Sequence, residues 1–163
     1  MTELIIINGA PATGKSSVGS LLHGMLESSA FLDGDDVWRI NPFEINESTK
    51  ALATRNIGAI LRNYIESGYG YVILAWVLHR QAIIDELLVQ LNDLPKTVHV
   101  FTLVADEQVL ARHLRRDPSR PRDPQRALLR LRQTRHLNTH QIDTSRLTPQ
   151  QVTGAILEAL KRD

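Results

Sequence analysis

An apolar strand that runs straight into a glycine-anchored turn and then a helix leaves a chain few folds to adopt. In this sequence Leu4-Ile5-Ile6-Ile7 is followed by Gly9, Gly14, Lys15 and Ser16, which fill the four fixed positions of the pattern GxxxxGK[ST]. Glycines let the backbone turn so tightly that successive amide N–H groups point inward, and the helix that follows brings its positive end to the same place. The pattern therefore predicts a cradle for the phosphates of a nucleoside triphosphate, built from Gly9, Ala10, Pro11, Ala12, Thr13, Gly14, Lys15, Ser16 and Ser17. Lys15 is expected to bridge the β- and γ-phosphates and the Ser16 hydroxyl to hold Mg²⁺. Val18, Leu21, Leu22, Met25 and Leu26 recur at helical spacing, which predicts a helix from Lys15 to Ser28.

Beyond the loop, strand-length apolar runs alternate with amphipathic stretches. The expected strands are Leu4 to Asn8, Ala30 to Asp33, Tyr71 to Trp76, Val98 to Val104 and Thr139 to Asp143. Between and after them the spacing predicts helices over Ser48 to Ser67, Arg80 to Leu91, Asp106 to Arg116, Pro124 to Leu137 and Pro149 to Lys161. A steady βα order predicts an α/β fold with a parallel sheet covered on both faces. Asp123-Pro124 places a capping acid before a proline at the first helical position, and Thr148-Pro149-Gln150-Gln151 has the form of a capping box. In open parallel sheets the ligand lies beyond the carboxyl ends of the strands, so the residues just after each strand are the candidate site.

With 163 residues and no break in this rhythm, one domain over residues 1–163 is expected. The absence of cysteine excludes disulfides, thiolate metal sites and cysteine nucleophiles. With the first strand opening within four residues of Met1, and no apolar stretch near the roughly 18 residues that span a bilayer, a soluble cytoplasmic protein without membrane contact is expected. A formal net charge of +1 gives no general attraction to nucleic acid. Charge is nevertheless concentrated locally. Between Arg112 and Arg135 nine arginines face two acids, beside the proline-broken segment from Asp117 to Pro124, which predicts an arginine-bearing lid over phosphates.

Phosphoryl transfer to a hydroxyl needs a positioned acceptor, a metal, positive charge on the transferred group and a carboxylate near the attacking oxygen. Asp33, Asp35 and Asp36 cluster at the end of the second strand. Asp35 is the candidate general base and metal-side carboxylate, with Asp33 as the alternative base or an outer ligand to Mg²⁺, while the same residues also suit a turn with a helix cap. Arg112 and Arg116, four apart on one helix face, are the candidates for nucleotide contact, and Arg116 for charge on the transferred phosphoryl group. Arg120, Arg122 and Arg126 are weaker candidates. On the acceptor side the candidates are Asp33, Asp35, Trp38, Phe43, Trp76, His79 and Arg80, with His79 also a rival base.

Ile5 to Ser16, Asp33-Gly34-Asp35-Asp36, Arg112 to Arg116 and Ile142-Asp143-Thr144-Ser145 together resemble the small P-loop kinases. That group includes chloramphenicol phosphotransferase, gluconate and shikimate kinases and the tunicamycin-resistance ATP-binding proteins. The stretches Ile5 to Ala10, His99 to Leu103 and Val109 to Arg112 are most similar to the tunicamycin-resistance type. The resemblance implies a five-stranded sheet of order 2-3-1-4-5, a lid after the fourth strand, and adenine packed near the first lid arginines and the loop after the fifth strand. It also implies that Asp35 matches the acceptor-side aspartate of the antibiotic kinases. The substrate-side arginine and glycine patterns of gluconate and shikimate kinases are missing. The expected activity is ATP-dependent transfer to a hydroxyl of a small molecule, antibiotics included. A polynucleotide 5′-end kinase and an ATP-binding protein acting by sequestration are the other readings; few aromatics and near-neutral charge argue against a nucleic-acid groove, and a GTPase is disfavoured because the sequence has no NKxD guanine motif.

Overall fold

The computed structural model describes residues 1–116 and 123–162. The predicted lid, with Arg120 and Arg122, falls on residues 117–122 and lies outside the described residues.

Five parallel strands form one sheet in the order β2-β3-β1-β4-β5: β1 Thr2–Gly9, β2 Ser29–Asp33, β3 Tyr71–Trp76, β4 Lys96–Val104 and β5 His140–Asp143. This is the P-loop fold that the alternation and the loop pattern predict. β1 is central, with Leu4 opposite Val72 on one side and Val98 on the other. Its side chains alternate between two buried faces. Leu4 and Ile6 pack with Ile57, Leu61 and Leu87 on the side of helices α2 (Glu47–Glu66) and α3 (Gln81–Val89). Ile5 and Ile7 pack with Val18, Leu22, Val152 and Ile156 on the side of α1 (Lys15–Met25) and α6 (Pro149–Leu160). Each such side chain, fully buried, stabilises the fold by roughly 1.5–3 kcal/mol, which is why Leu4 to Ile7 are apolar at every position rather than at alternate ones.

A smaller cluster of Ala10, Leu110, Ala127 and Leu131 seats α4 (Glu107–Arg116) and α5 (Pro124–Thr134) beneath the phosphate loop. α5 starts as its sequence predicts, with the Asp123 carboxylate accepting from the Gln125 amide at 2.9 Å. The capping box of α6 is also present: the Thr148 hydroxyl accepts from the Gln151 amide at 3.2 Å and Gln151 Oε1 from the Thr148 amide at 2.9 Å.

Two differences from the sequence pattern have local causes. α1 ends at Met25, three residues before the predicted end at Ser28, because Leu26 turns extended and Ser28 takes a left-handed φ of 54°. The acidic run after β2 forms a short 3-10 helix, Gly34–Trp38, whose first turn is closed by Asp33 Oδ1 accepting from the Asp35 amide at 3.1 Å. α1 lies very close to β2: a Cβ added at Gly19 would stand 2.5 Å from the Phe31 ring.

Candidate active site

The phosphate loop is shaped by a few backbone necessities. A Cβ on Gly9 would fall 2.6 Å from Thr13 Oγ1 and 2.7 Å from the Leu103 carbonyl, so only glycine fits where the loop leaves β1. Gly14 caps α1 with φ 92° and no side-chain capping bond, which leaves the first-turn amides of the helix facing the loop's concavity. Thr13 braces the turn by donating to the Ala10 carbonyl at 2.9 Å, and Lys15 Nζ donates to the same carbonyl at 2.8 Å.

Asn8, just before the loop, is fully buried. Its Oδ1 accepts from the amides of Gly9 and Leu78, each at 2.7 Å, and its Nδ2 donates to the Leu78 carbonyl at 2.9 Å and to Thr102 Oγ1 at 3.2 Å. One amide side chain thus ties the start of the phosphate loop to the segment after β3, one residue before His79.

The second strand delivers its carboxylates to two different places. Ser16 Oγ donates to Asp33 Oδ2 at 2.5 Å, so the carboxylate beside the loop's hydroxyl is Asp33. Asp35, two residues on, is exposed. A hydroxyl and a carboxylate side by side are the hard oxygen donors that Mg²⁺ takes together with waters and phosphate oxygens. Among the described residues no cluster of three or more His, Cys, Asp or Glu could hold a metal unaided.

Two adjoining cavities open at the carboxyl ends of the strands. One, of about 550 Å³, follows the phosphate loop and is lined by Lys15, Ser16, Ser17, Asp33, Ala75 and His113 among others. The other, of about 300 Å³, is walled by Trp38, Trp76, His79, Arg80, Lys50 and Arg130 among others. Pro11, Asp35, Trp76 and Val77 border both. Of the three clustered acids, Asp35 alone touches both cavities, whereas Asp33 lines only the first. Trp76 is fixed from below by Gly34, where a Cβ would meet its Cγ at 2.4 Å. Trp38 stacks edge-on against Trp76, with ring centres 6.1 Å apart, and against Phe43 at 6.0 Å.

Four cations, Lys50, Arg80, Arg126 and Arg130, and three carboxylates, Asp35, Glu47 and Glu86, line the acceptor-side cavity. His79, half-buried, is pushed down to about 4 by desolvation and by the charges of Arg130, Arg80, Lys50 and Arg126, so its imidazole is neutral at pH 7. Arg130 is shifted downward by its own burial and by Arg126 and Arg80.

The predicted residues therefore divide. The loop residues, Asp33, Asp35, Trp38, Trp76, His79 and Arg80 are gathered at this end of the sheet. Phe43 is 60 % exposed and reaches the site only through Trp38. Arg112 and Arg116 are exposed on α4 and line neither cavity. Lys50, Thr54, Arg130 and His113 were not singled out by the sequence, although Glu47, Lys50, Ala51 and Thr54 form a helical stripe on α2 that faces the cavity, and Arg126 and Arg130 stand one turn apart on α5. His113 Nδ1 lies 3.2 Å from the Ala12 carbonyl. At the far side, the loop after β5 is tied to the end of β4 through the Thr144 amide on the Val104 carbonyl at 2.8 Å, and through Ser145 Oγ accepting from the Asp106 amide at 2.8 Å.

Sheet order, glycine loop and the strand-end cavities define the fold of the small P-loop kinases. No family model matches the chain, and no curated protein matches it in sequence. Among solved structures it is similar to the tunicamycin resistance protein of Deinococcus radiodurans, at 24% identity and a TM-score of 0.78 over 98% of this chain and 96% of that one. It is also similar to a gluconokinase from Sinorhizobium meliloti 1021, at 16% identity and a TM-score of 0.75 over 98% and 92% of the two chains. A sugar kinase from Janibacter sp. HTCC2649 superposes with a TM-score of 0.79 at 13% identity, over 99% and 95%. No helix among the described residues is long and apolar enough to cross a membrane.

Proposed function

We propose that this protein is an ATP-dependent phosphotransferase, working as one domain, that moves the γ-phosphate to a hydroxyl of a small molecule. The observation that carries this reading is the shared wall of the two cavities: Asp35 borders both, where an acceptor hydroxyl would meet the γ-phosphate. A cavity of about 300 Å³ is of the size that takes a metabolite or drug-like ligand.

In this mechanism the loop amides and the Lys15 ammonium hold the β- and γ-phosphates, and Ser16 and Asp33 would hold Mg²⁺. When bound, the metal neutralises charge on the phosphate oxygens. Asp35 accepts the hydroxyl proton as the acceptor oxygen forms its bond to the γ-phosphorus. The bond from that phosphorus to the β,γ-bridging oxygen breaks, and ADP leaves with the electron pair. Arg112 and Arg116, the candidates for the nucleotide and for the transferred phosphoryl group, line neither cavity, so those roles require their side chains to swing from α4 over the loop. Trp38 and Trp76 supply apolar surface to the acceptor, His79 and Arg80 polar contacts, and Phe43 backs Trp38.

The similarity to a tunicamycin resistance protein, a gluconokinase and a sugar kinase supports a small acceptor and places hydroxylated antibiotics beside sugars in the test. The experiment is an ATP-consumption screen over sugars, sugar acids, nucleosides and antibiotics, with a DNA oligonucleotide included. Turnover with a small compound, lost in Asp35→Asn, is the expected result. Transfer to the oligonucleotide 5′ end alone, or tight ATP binding with no transfer to any member, would overturn the proposal.

A further inference from the structure

The acceptor-side cavity is lined by one more cation than carboxylates, its acids being Asp35, Glu47 and Glu86. Four cations line it: Lys50, Arg80, Arg126 and Arg130. Lys50 is paired with Glu47 at 2.9 Å. Among the described residues, the guanidinium groups of Arg80, Arg126 and Arg130 have no carboxylate within ion-pair distance, and Arg130 donates only to Gln133 Oε1 at 2.8 Å. The contrast along α5 and just past its end is informative. Arg132 pairs with Glu107 at 2.8 Å, and Arg135 donates to the Ala105 carbonyl at 2.6 Å. Arg132 and Arg135, which do not line the cavity, are thus bound by a carboxylate and a carbonyl, whereas Arg126 and Arg130, which line it, meet no carboxylate among the described residues. Arg130 and His79 are shifted downward first by burial and then by the neighbouring positive charges. Like charges gathered on a partly apolar cavity are stabilised by an anion that joins them, and guanidinium groups bind oxyanions with strong charge-assisted hydrogen bonds. The γ-phosphate is not that anion in this geometry, because none of the three arginines lines the nucleotide cavity.

Resting on the kinase reading above, we infer that the acceptor carries an oxyanion, a carboxylate or a phosphate or sulfate ester, seated on Arg80, Arg126 and Arg130, while its hydroxyl end points to Asp35. The arginines then do for the acceptor what the loop does for the nucleotide: they fix one end so that the other is held against the reacting phosphorus.

Both tryptophans of the chain, Trp38 and Trp76, line this cavity, so intrinsic fluorescence reports on it directly. The full chain, saturated with Mg²⁺ and the non-hydrolysable ATP analogue AMP-PNP, is titrated at constant ionic strength with sodium D-gluconate, sodium sulfate and neutral D-glucitol. A saturable change with at least one oxyanion is expected, with D-glucitol at least about tenfold weaker. Arg80→Gln and Arg130→Gln should each weaken the anion by about tenfold, and Arg132→Gln, whose partner is Glu107, should not. Saturation by sulfate alone assigns an ester, by gluconate alone a carboxylate. Equal binding of D-glucitol, no saturation by either anion, or indifference of both arginine variants would overturn the inference. The same titrations on Lys15→Ala separate the two readings: loss of AMP-PNP binding by the wild type would end the kinase reading, while arginine-dependent anion binding in the Lys15→Ala chain would leave the oxyanion site standing.

Discussion

Replacing Asn8 by alanine is the most direct test of how the site is held together. The side chain is fully buried and uses its whole hydrogen-bonding capacity, two bonds accepted and two donated. Alanine orphans the amides of Gly9 and Leu78 and strips one bond each from the Leu78 carbonyl and Thr102. A buried polar group left without a partner costs about 1–3 kcal/mol. The two amides alone therefore set a loss of roughly 2–6 kcal/mol, against a total stability of roughly 5–15 kcal/mol for a domain. Since 1 kcal/mol moves Tm by about 2–4 °C at this chain length, a drop of roughly 10 °C is expected. Thr102→Val removes only the 3.2 Å bond from Asn8 and the contact with Thr139 at 2.6 Å, and should cost about half as much or less. Urea unfolding followed by far-UV circular dichroism gives both numbers if the slope with denaturant is unchanged. A loss below about 1 kcal/mol for Asn8→Ala at constant slope would refute the claim that this side chain pins the loop to the segment after β3.

Further outcomes are expected at the site itself. Lys15→Ala should remove Mg-ATP binding measured by calorimetry and leave the thermal transition in place, since its ammonium binds the Ala10 carbonyl of the loop and packs in none of the core clusters. Asp35→Asn should abolish turnover with ATP affinity largely kept, while Asp33→Asn should raise the Mg²⁺ concentration needed for half-maximal activity; the reverse pattern would exchange their roles. His79 titrates near 4 in the folded chain against 6.5 for the free side chain, so the unfolded state binds the extra proton between those values and stability must fall as pH drops through that window. His79→Asn should flatten that decline in an acid unfolding series. Gly34→Ala places a methyl 2.4 Å from Trp76 Cγ and should destabilise by about 1–3 kcal/mol and shift tryptophan emission.

The parts of the site that were legible in the sequence are those whose chemistry is local. Gly9, Gly14, Lys15 and Ser16 announce the loop because the backbone turn and the phosphate contacts arise within eight residues. The βα alternation announces a parallel sheet, while its strand order is implied by the resemblance alone. The acidic run was ambiguous because both of its readings hold: Asp33 closes a 3-10 turn with one oxygen and meets Ser16 with the other. Lys50 and Arg130 were not legible, since each becomes a cavity residue only through the rotation of α2 and α5 against the sheet, which tertiary packing sets. Asn8 looks like the end of a strand, and its role depends on Leu78, 70 residues away.

The contact between Gly19 and the Phe31 ring has a consequence for how this sequence can evolve. α1 carries Ser16 and β2 carries Asp33, and the helix rests on the strand through a glycine that has no room for a methyl group. A methyl gained at Gly19 would have to push the Phe31 ring aside or move α1, which carries Ser16, away from β2, which carries Asp33. The two positions are thus epistatic: Gly19→Ala is harmful alone, and a smaller residue in place of Phe31 is the change that makes it tolerable. Fitness measured over pairs should show this coupling far from any phosphate contact, so the set of residues that the loop obliges the chain to keep is wider than its motif.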